Sequence, residues 1–314
     1  MKHSPALILS ALLAAQAGAA MAAAGLTGAP VLNTPIGARS SALGRAFTAV
    51  PGDAEAINYN PGALAFTSSA NVSATYMSGF FGGSYGFLAA PVPLGTFTLT
   101  PAYLFYNSGT MNLNLSDGTK ATVTAEEDKA GYLSAGWRPV PRLGVGATVK
   151  RVSTNLAQSA SASSTHYDFG ILYAAGNGLS FGASYLNSGG EIKFETNGDP
   201  PPRTKRLGAS YKFDAAPPSL SDPDSSITRC DVLLSADWSR TDKEKSYIQA
   251  GLESDMTLWN GSVFTPRLGY LAGRSVGGVT LGLGLAWRNW TFACSFAPSA
   301  ALETVSQATV GYKF

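Results

Sequence analysis

Few residues in this chain could carry bond-making chemistry, and their spacing argues against it. After its first residues the chain has a single histidine, His166, with Asp168 two positions on. Residues i and i+2 of a strand share a face, so a Ser/His/Asp site would have to be built there. No Ser-containing motif supports a nucleophile, and His166 is read as a lumen-facing or interfacial side chain. Cys230 and Cys294 are the only cysteines, and no C-x-x-C or Cys/His cluster suggests a metal. The strands expected to hold them are far apart in the chain, so no disulfide is expected. There is no G-x-x-x-x-G-K-[ST] loop for a nucleotide. The chain is therefore expected to be neither an enzyme nor a binder of cofactors or metals.

The remaining chemistry is that of sparse, alternating charges, and the elements that carry them are strands. Only 13% of the residues are charged, while 35 glycines and 11% aromatics are high. A net charge of +2 and the lack of a Lys/Arg run exclude a nucleic-acid surface. Leu143–Lys150, His166–Tyr173 and Val279–Trp287 alternate apolar with small or polar residues, the period of a two-faced strand. Lys150, Asp168, Arg206, Lys212, Asp231, Asp237 and Arg288 fall on the polar face. A soluble sandwich would bury the apolar face, whereas a membrane barrel turns it to lipid and the polar face to its lumen.

The two ends of the chain choose between these. Residues 1–24 read as a secretory leader: Lys2 and His3, an apolar stretch of ~10 residues, then A-x-A sites with a cut near Ala22–Ala24. The stretch falls short of the ~20 apolar residues of a spanning helix. At the other end Ala308, Val310, Tyr312 and Phe314 alternate, and the chain stops on an aromatic. This resembles the C-terminal strand signal, here Tyr312 and Phe314, that bacterial outer-membrane assembly machinery reads.

The fold expected is an all-β, antiparallel transmembrane barrel of about fourteen strands over residues 66–314. The strands are placed at 66–77, 84–90, 96–107, 129–137, 143–154, 165–173, 179–187, 203–213, 226–238, 246–258, 262–271, 278–287, 290–297 and 304–314. Short turns such as Arg138–Arg142 and Arg288-Asn289 alternate with longer or more polar segments such as Asn107–Asp128, Asn155–Thr165 and Asn187–Pro202. In such barrels the short turns are periplasmic and the long loops extracellular. Asp214–Ser225 is a longer periplasmic exception, and Asn112–Thr124 is expected to add a hairpin turning at Asp117-Gly118.

One stretch, Gly37–Leu64, reads as neither strand nor strand connection. Its run Ser40-Ser-Ala-Leu43-Gly44-Arg45-Ala-Phe47, then Asp53-Ala54, then Asn60-Pro61-Gly-Ala-Leu64 resembles the N-terminal region of the FadL family. Those are fourteen-stranded outer-membrane transporters of hydrophobic compounds. The run is also similar to the start of the shorter PorV/PorQ-type barrels. The resemblance implies a hatch, residues 25–65, folded into the lumen, with Leu43, Gly44, Arg45, Asp53, Asn60 and Pro61 as its marks. A barrel of this width cannot be filled by its own side chains. Arg45 and Asp53 would face lumen groups of opposite sign, and Asn60-Pro61 would turn the chain into the first strand. FadL opens sideways at a kinked third strand. Pro101, in the third strand here, lacks an N–H and marks a possible lateral gate, with Pro266 a competing site.

The function implied is passive movement of hydrophobic, fatty-acid-like small molecules across the outer membrane, with the bilayer, those molecules and the assembly machinery as partners. The alternative is a secretion-associated or structural barrel with secretion-system proteins as partners. The chain is shorter than a typical FadL, so no ligand residues transfer outside the hatch.

Overall fold

The computed structural model describes residues 27–34, 36–78, 83–114, 119–194, 196–215, 226–273, 277–298 and 304–314. The expected leader and the Asp117-Gly118 turn lie outside these residues, as does most of Asp214–Ser225.

Fourteen antiparallel strands form the wall. They are β1 (Asn71–Ser78), β2 (Ser84–Ala89 continued by Val92–Leu94), β3 (Phe97–Asn107), β4 (Glu126–Val140), β5 (Leu143–Leu156), β6 (Ala160–Gly176) and β7 (Leu179–Gly189). They continue as β8 (Thr204–Ala215), β9 (Ile227–Thr241), β10 (Tyr247–Leu258), β11 (Val263–Ala272), β12 (Gly278–Trp287), β13 (Trp290–Ala297) and β14 (Val305–Lys313). Each pairs with its neighbours in sequence, and β1 closes the ring against β14, Asn71 opposite Lys313 and Ser78 opposite Ser306. Closure leaves no unpaired edge, which a sheet in hydrocarbon requires.

Several expected boundaries shift. The first strand begins at Asn71 rather than 66, because Pro61–Phe66 coils into a 3-10 turn. Pro91–Gly95 is not all turn: Val92–Leu94 pairs with Phe97–Leu99 around Gly95. Asn155–Thr165 is mostly strand, with β5 and β6 running out to a turn at Ala157 and Gln158. The extra hairpin pairs Thr110–Asn114 with Lys120–Thr124. Both cysteines are free.

The alternation has the sense a membrane demands. Leu133, Phe169, Ile171, Leu207, Leu234, Leu252, Leu281 and Leu283 point outward and are exposed, while Thr148, Asp168, Ser184, Asp237 and Gln249 point inward and are buried. An all-round exterior of exposed Leu, Ile and Phe is intelligible only against lipid. Aromatics gather at the short-turn end: Phe97 stacks on Trp137, and Trp290 packs on Tyr312, which packs on Phe314. Such side chains sit at the headgroup level of a bilayer.

Leu281, on the outer face of β12, gives a direct check. Leu281→Arg should cost about 2–4 kcal/mol in bilayer-embedded protein, a penalty that shrinks toward the barrel rims. Urea titration in lipid vesicles would measure it.

Candidate functional site

Residues 27–34 and 36–70 pack and hydrogen-bond against the inward face of the wall from its long-loop end to its short-turn end. At the long-loop end the Gly28 N–H donates to the Pro200 carbonyl, and Asn187 Nδ2 donates to Leu32 O. At the short-turn end the Asn71 N–H donates to Pro91 O, where β1 begins. Between them come a 3-10 turn (Pro30–Asn33), the one-turn helix α1 (Ala38–Ala42), and 3-10 turns at Ala54–Asn58 and Pro61–Phe66. Ile36, Leu43, Phe47, Ile57 and Leu64 are at most 1% exposed, so this segment supplies the core that the wall cannot.

A coiled segment without a ladder must find other partners for its backbone groups, and here the wall provides them. Asp237 on β9 accepts from the Phe47 N–H (2.9 Å), the Thr48 N–H (2.9 Å) and the Thr48 hydroxyl (2.6 Å). Arg206 on β8 pairs with Asp237 at 2.9 Å and donates to the Arg45 carbonyl at 2.6 Å. Ser184 donates to Tyr59 O, Ser210 to Ala49 O and Thr280 to Ala42 O. On β14, Gln307 Oε1 accepts from the Gly37 N–H and Thr309 Oγ1 from the Ala38 N–H. Asn60 Nδ2 bridges Thr48 O within the plug and Ile171 O in the wall, while its Oδ1 caps the Pro61–Phe66 turn through the Gly62 N–H. Asn60-Pro61 therefore starts a second turn and pins it, rather than leading straight into a strand.

Close approach is the other half of the fit. Lumen-facing glycines line the wall where the plug touches it. A Cβ on Gly269 would fall 2.0 Å from Gly44 N, one on Gly182 2.1 Å from Thr48 O, and one on Gly146 2.4 Å from Pro61. They come in facing pairs, Gly136 with Gly146, Gly146 with Gly170, Gly182 with Gly208 and Gly251 with Gly269. Gly44 itself has φ +62 and Arg45 φ +69, a left-handed turn pressed against β11.

The charges sort differently from expectation in two places. Lys150 pairs with Asp168 at 2.6 Å, and Asn187, which accepts from Lys150 Nζ, joins that pair to Leu32. Lys212 reaches Asp231 and Asp255. Arg288, however, sits in the β12–β13 turn at φ +53 with its guanidinium 4.9 Å from the outward Trp287 ring, not in the lumen. Asp53 faces a plug residue rather than the wall: it pairs with Arg39 at 2.8 Å and caps the Glu55 N–H. Arg39 in turn bridges to Glu253 on β10, which also accepts from Arg267. The wall side of this network, Glu253 and Arg267, was legible only as polar-face alternation in Tyr247–Leu258 and Val263–Ala272.

The Ser/His/Asp arrangement considered around His166 does not form among the described residues. Ser164 Oγ lies 2.6 Å from His166 Nε2, but Asp168 is engaged by Lys150 and the Asn187 N–H, and His166 is fully buried. One G-x-S-x-G run, Gly82-Gly83-Ser84-Tyr85-Gly86, was passed over in the sequence, but Ser84 opens β2 opposite Asn107 rather than a strand-to-helix elbow. Among the described residues no His/Cys/Asp/Glu group could hold a metal.

Below the plug, at the short-turn end, is a cavity of about 650 Å³ whose lining includes Arg39, Asp53, Lys212, Glu253, Asp255 and Arg267. Beside it, Ser254 and Asp255 of β10 make no ladder pair with Pro266 and Thr265 of β11, although the ladder on either side keeps one register and the Thr265 hydroxyl donates to Asp255 Oδ1 at 2.9 Å. Pro101 lies in an unbroken pairing with Leu133 of β4. The interruption there falls on its other side, where Ala90 and Pro91 split β2 and the Ala90 N–H donates to Pro101 O.

The sequence matches no protein-family model and no curated protein. Solved structures do match. The toluene transporter TbuX of Ralstonia pickettii superposes with a TM-score of 0.59 at 15% identity, over 88% of this chain and 98% of that one. The chain has the fold of these channels. The monoaromatic hydrocarbon channel CymD gives 0.56 at 11% identity, over 89% and 98%. The toluene transporter TodX of Pseudomonas putida gives 0.50 at 11%, over 86% and 96%.

Two expectations follow for the plug. Gly269→Val would drive a side chain into Gly44 and should unseat the plug while leaving the barrel folded. Limited proteolysis of residues 37–64 would then succeed in the variant and fail in the native chain. The second concerns Glu55, which caps α1 from a distance by accepting the Arg39 and Ser40 N–H groups. Burial, reinforced by Asp53, pushes its carboxyl up to about 7. A carboxyl raised in the folded state contributes stability that is full below its unfolded value near 4.5 and is lost as pH rises through 7. Thermal unfolding in detergent should show a loss of roughly 2–3 kcal/mol between pH 4.5 and 8. Glu55→Gln should flatten that slope.

Proposed function

We propose that this chain is a passive outer-membrane channel for hydrophobic small molecules, its lumen held closed by residues 25–65. The observation that carries the reading is the combination of a lipid-facing fourteen-stranded barrel with a lumen packed by its own N-terminal segment. The fold shared with transporters of toluene and other monoaromatic hydrocarbons supports the substrate class. The salt bridges inside are structural under this reading. Arg206–Asp237 and Arg39–Glu253 spend their hydrogen bonds on plug backbone and on each other, leaving little for a passenger.

Such a channel is delivered to the bacterial outer membrane by its leader and by the Tyr312/Phe314 signal on β14. Hydrophobic cargo would leave through the wall rather than into the aqueous periplasm. Two places are thinned for that by proline. At one, Pro101 faces the Ala90–Pro91 break; at the other, Pro266 sits where β10 and β11 lack two ladder pairs, between the cavity-lining Thr265 and Arg267.

The test is a pair of measurements in planar bilayers and vesicles. The intact chain should show no large, steady conductance, and deletion of residues 25–64 should produce one. Toluene entry into vesicles should depend on the intact protein. Entry slowed by Pro101→Ala would place the exit between β2 and β3, and entry slowed by Pro266→Ala would place it between β10 and β11. A large steady pore in the intact protein would overturn the plugged-channel reading.

A further inference from the structure

Among the described residues, the lumen carries a fully buried carboxylate that no cation pairs with. Asp168, Asp237, Glu253 and Asp53 each face a cation. Asp128 on β4 is 0% exposed, and neither of its oxygens has a well-aligned hydrogen bond within the described residues; the polar groups nearest to it are Thr154 and Glu126. None of the ion pairs involves it; Lys129 beside it points to the other face and pairs with Glu127. Its polar neighbours add no cation. Thr154 faces it directly across the ladder on β5 without a well-aligned hydrogen bond, and Glu126 lies two residues away on the same face.

What surrounds Asp128 is apolar and aromatic. Tyr106 lies opposite it on β3 and stacks on Tyr85 of β2 at 4.2 Å. Leu104, Val152 and Tyr132 are buried one step deeper along the same faces. Tyr85, Tyr106 and Glu126 are only half-buried, so this cluster reaches the long-loop end of the barrel while Asp128 forms its floor. A buried carboxylate with no donor is costly, by about 1–3 kcal/mol or more, and a native structure that keeps one calls for an explanation. A donor supplied by a bound molecule removes the cost.

We infer that this region of β2–β5 is a binding subsite for a hydrophobic molecule carrying a hydrogen-bond donor, a hydroxyl or an amine, which it places on Asp128. The proposal rests on the channel reading and narrows its substrate class. An aromatic or aliphatic body lies against Tyr85, Tyr106 and Leu104. Compounds without a polar group lack the donor, and compounds bearing a carboxylate meet Glu126 and Asp128 with like charge.

The experiment compares p-cresol, toluene and p-toluate, which share one ring and one methyl group. Calorimetric titration of the full chain in detergent reads their affinities. One net hydrogen bond corresponds to about a fivefold preference. In the native chain p-cresol should bind about fivefold or more tighter than toluene, and p-toluate weakest. Asp128→Leu should bring p-cresol and toluene within twofold, whereas Asp128→Asn, which keeps an acceptor, should hold the preference. Equal binding of p-cresol and toluene by the native chain, or a preference that survives Asp128→Leu, would overturn the proposal. Should the leucine variant not fold, judged by heat-modifiable gel migration, Asp128→Ala takes its place, and the native order is read without any variant. Toluene entry into vesicles is scored separately. Failed entry with an intact binding preference overturns the channel and leaves the subsite standing.

Discussion

A coiled segment buried inside a sheet must find a partner for every polar backbone group, and that constraint shapes the interior here. Residues 27–70 have no ladder of their own, so the wall's side chains act as their hydrogen-bonding environment. Asp237 alone holds two plug N–H groups, and Ser184, Ser210 and Thr280 each hold a carbonyl. Arg206 then serves twice, balancing Asp237 and taking the Arg45 carbonyl. Removing any one of these would strand a buried donor or acceptor of the coiled segment or of the wall.

Much of this was legible in the alternation of residues. Outward Leu and Phe with inward Ser, Thr and Asp gave both the faces and the strand number, because the period of a strand is independent of what lies opposite it. The ends of strands were less visible. β5 and β6 extend through Asn155–Thr165, whose small polar residues read as loop yet pair well in a ribbon beyond the apolar belt. Arg288 was misplaced for a related reason: alternation continues numerically through a two-residue turn, but the positive φ there swings the side chain onto the outer Trp287.

The coiled N-terminal segment was visible as a stretch without period, while its contacts were not. Asp53 looked like a wall-facing charge, whereas it pairs with Arg39, and Arg39 carries the bridge to Glu253 on the wall. Sequence separation of more than 200 residues between Arg39 and Glu253 leaves no local signal for that pair. The glycines of the wall did carry a signal, in the form of polar-face positions left without side chains. Reading them as a footprint required knowing what pressed against them.

The seam between β1 and β14 has a further property. Thr309 bonds Thr75 across it, and the same Thr309, with Gln307, receives the first N–H groups of α1. The strand that completes the ring is thus also the clasp on the plug. Closing the wall and locking its stopper draw on the same side chains, so a barrel that shut around an empty lumen would leave its last joint short of partners.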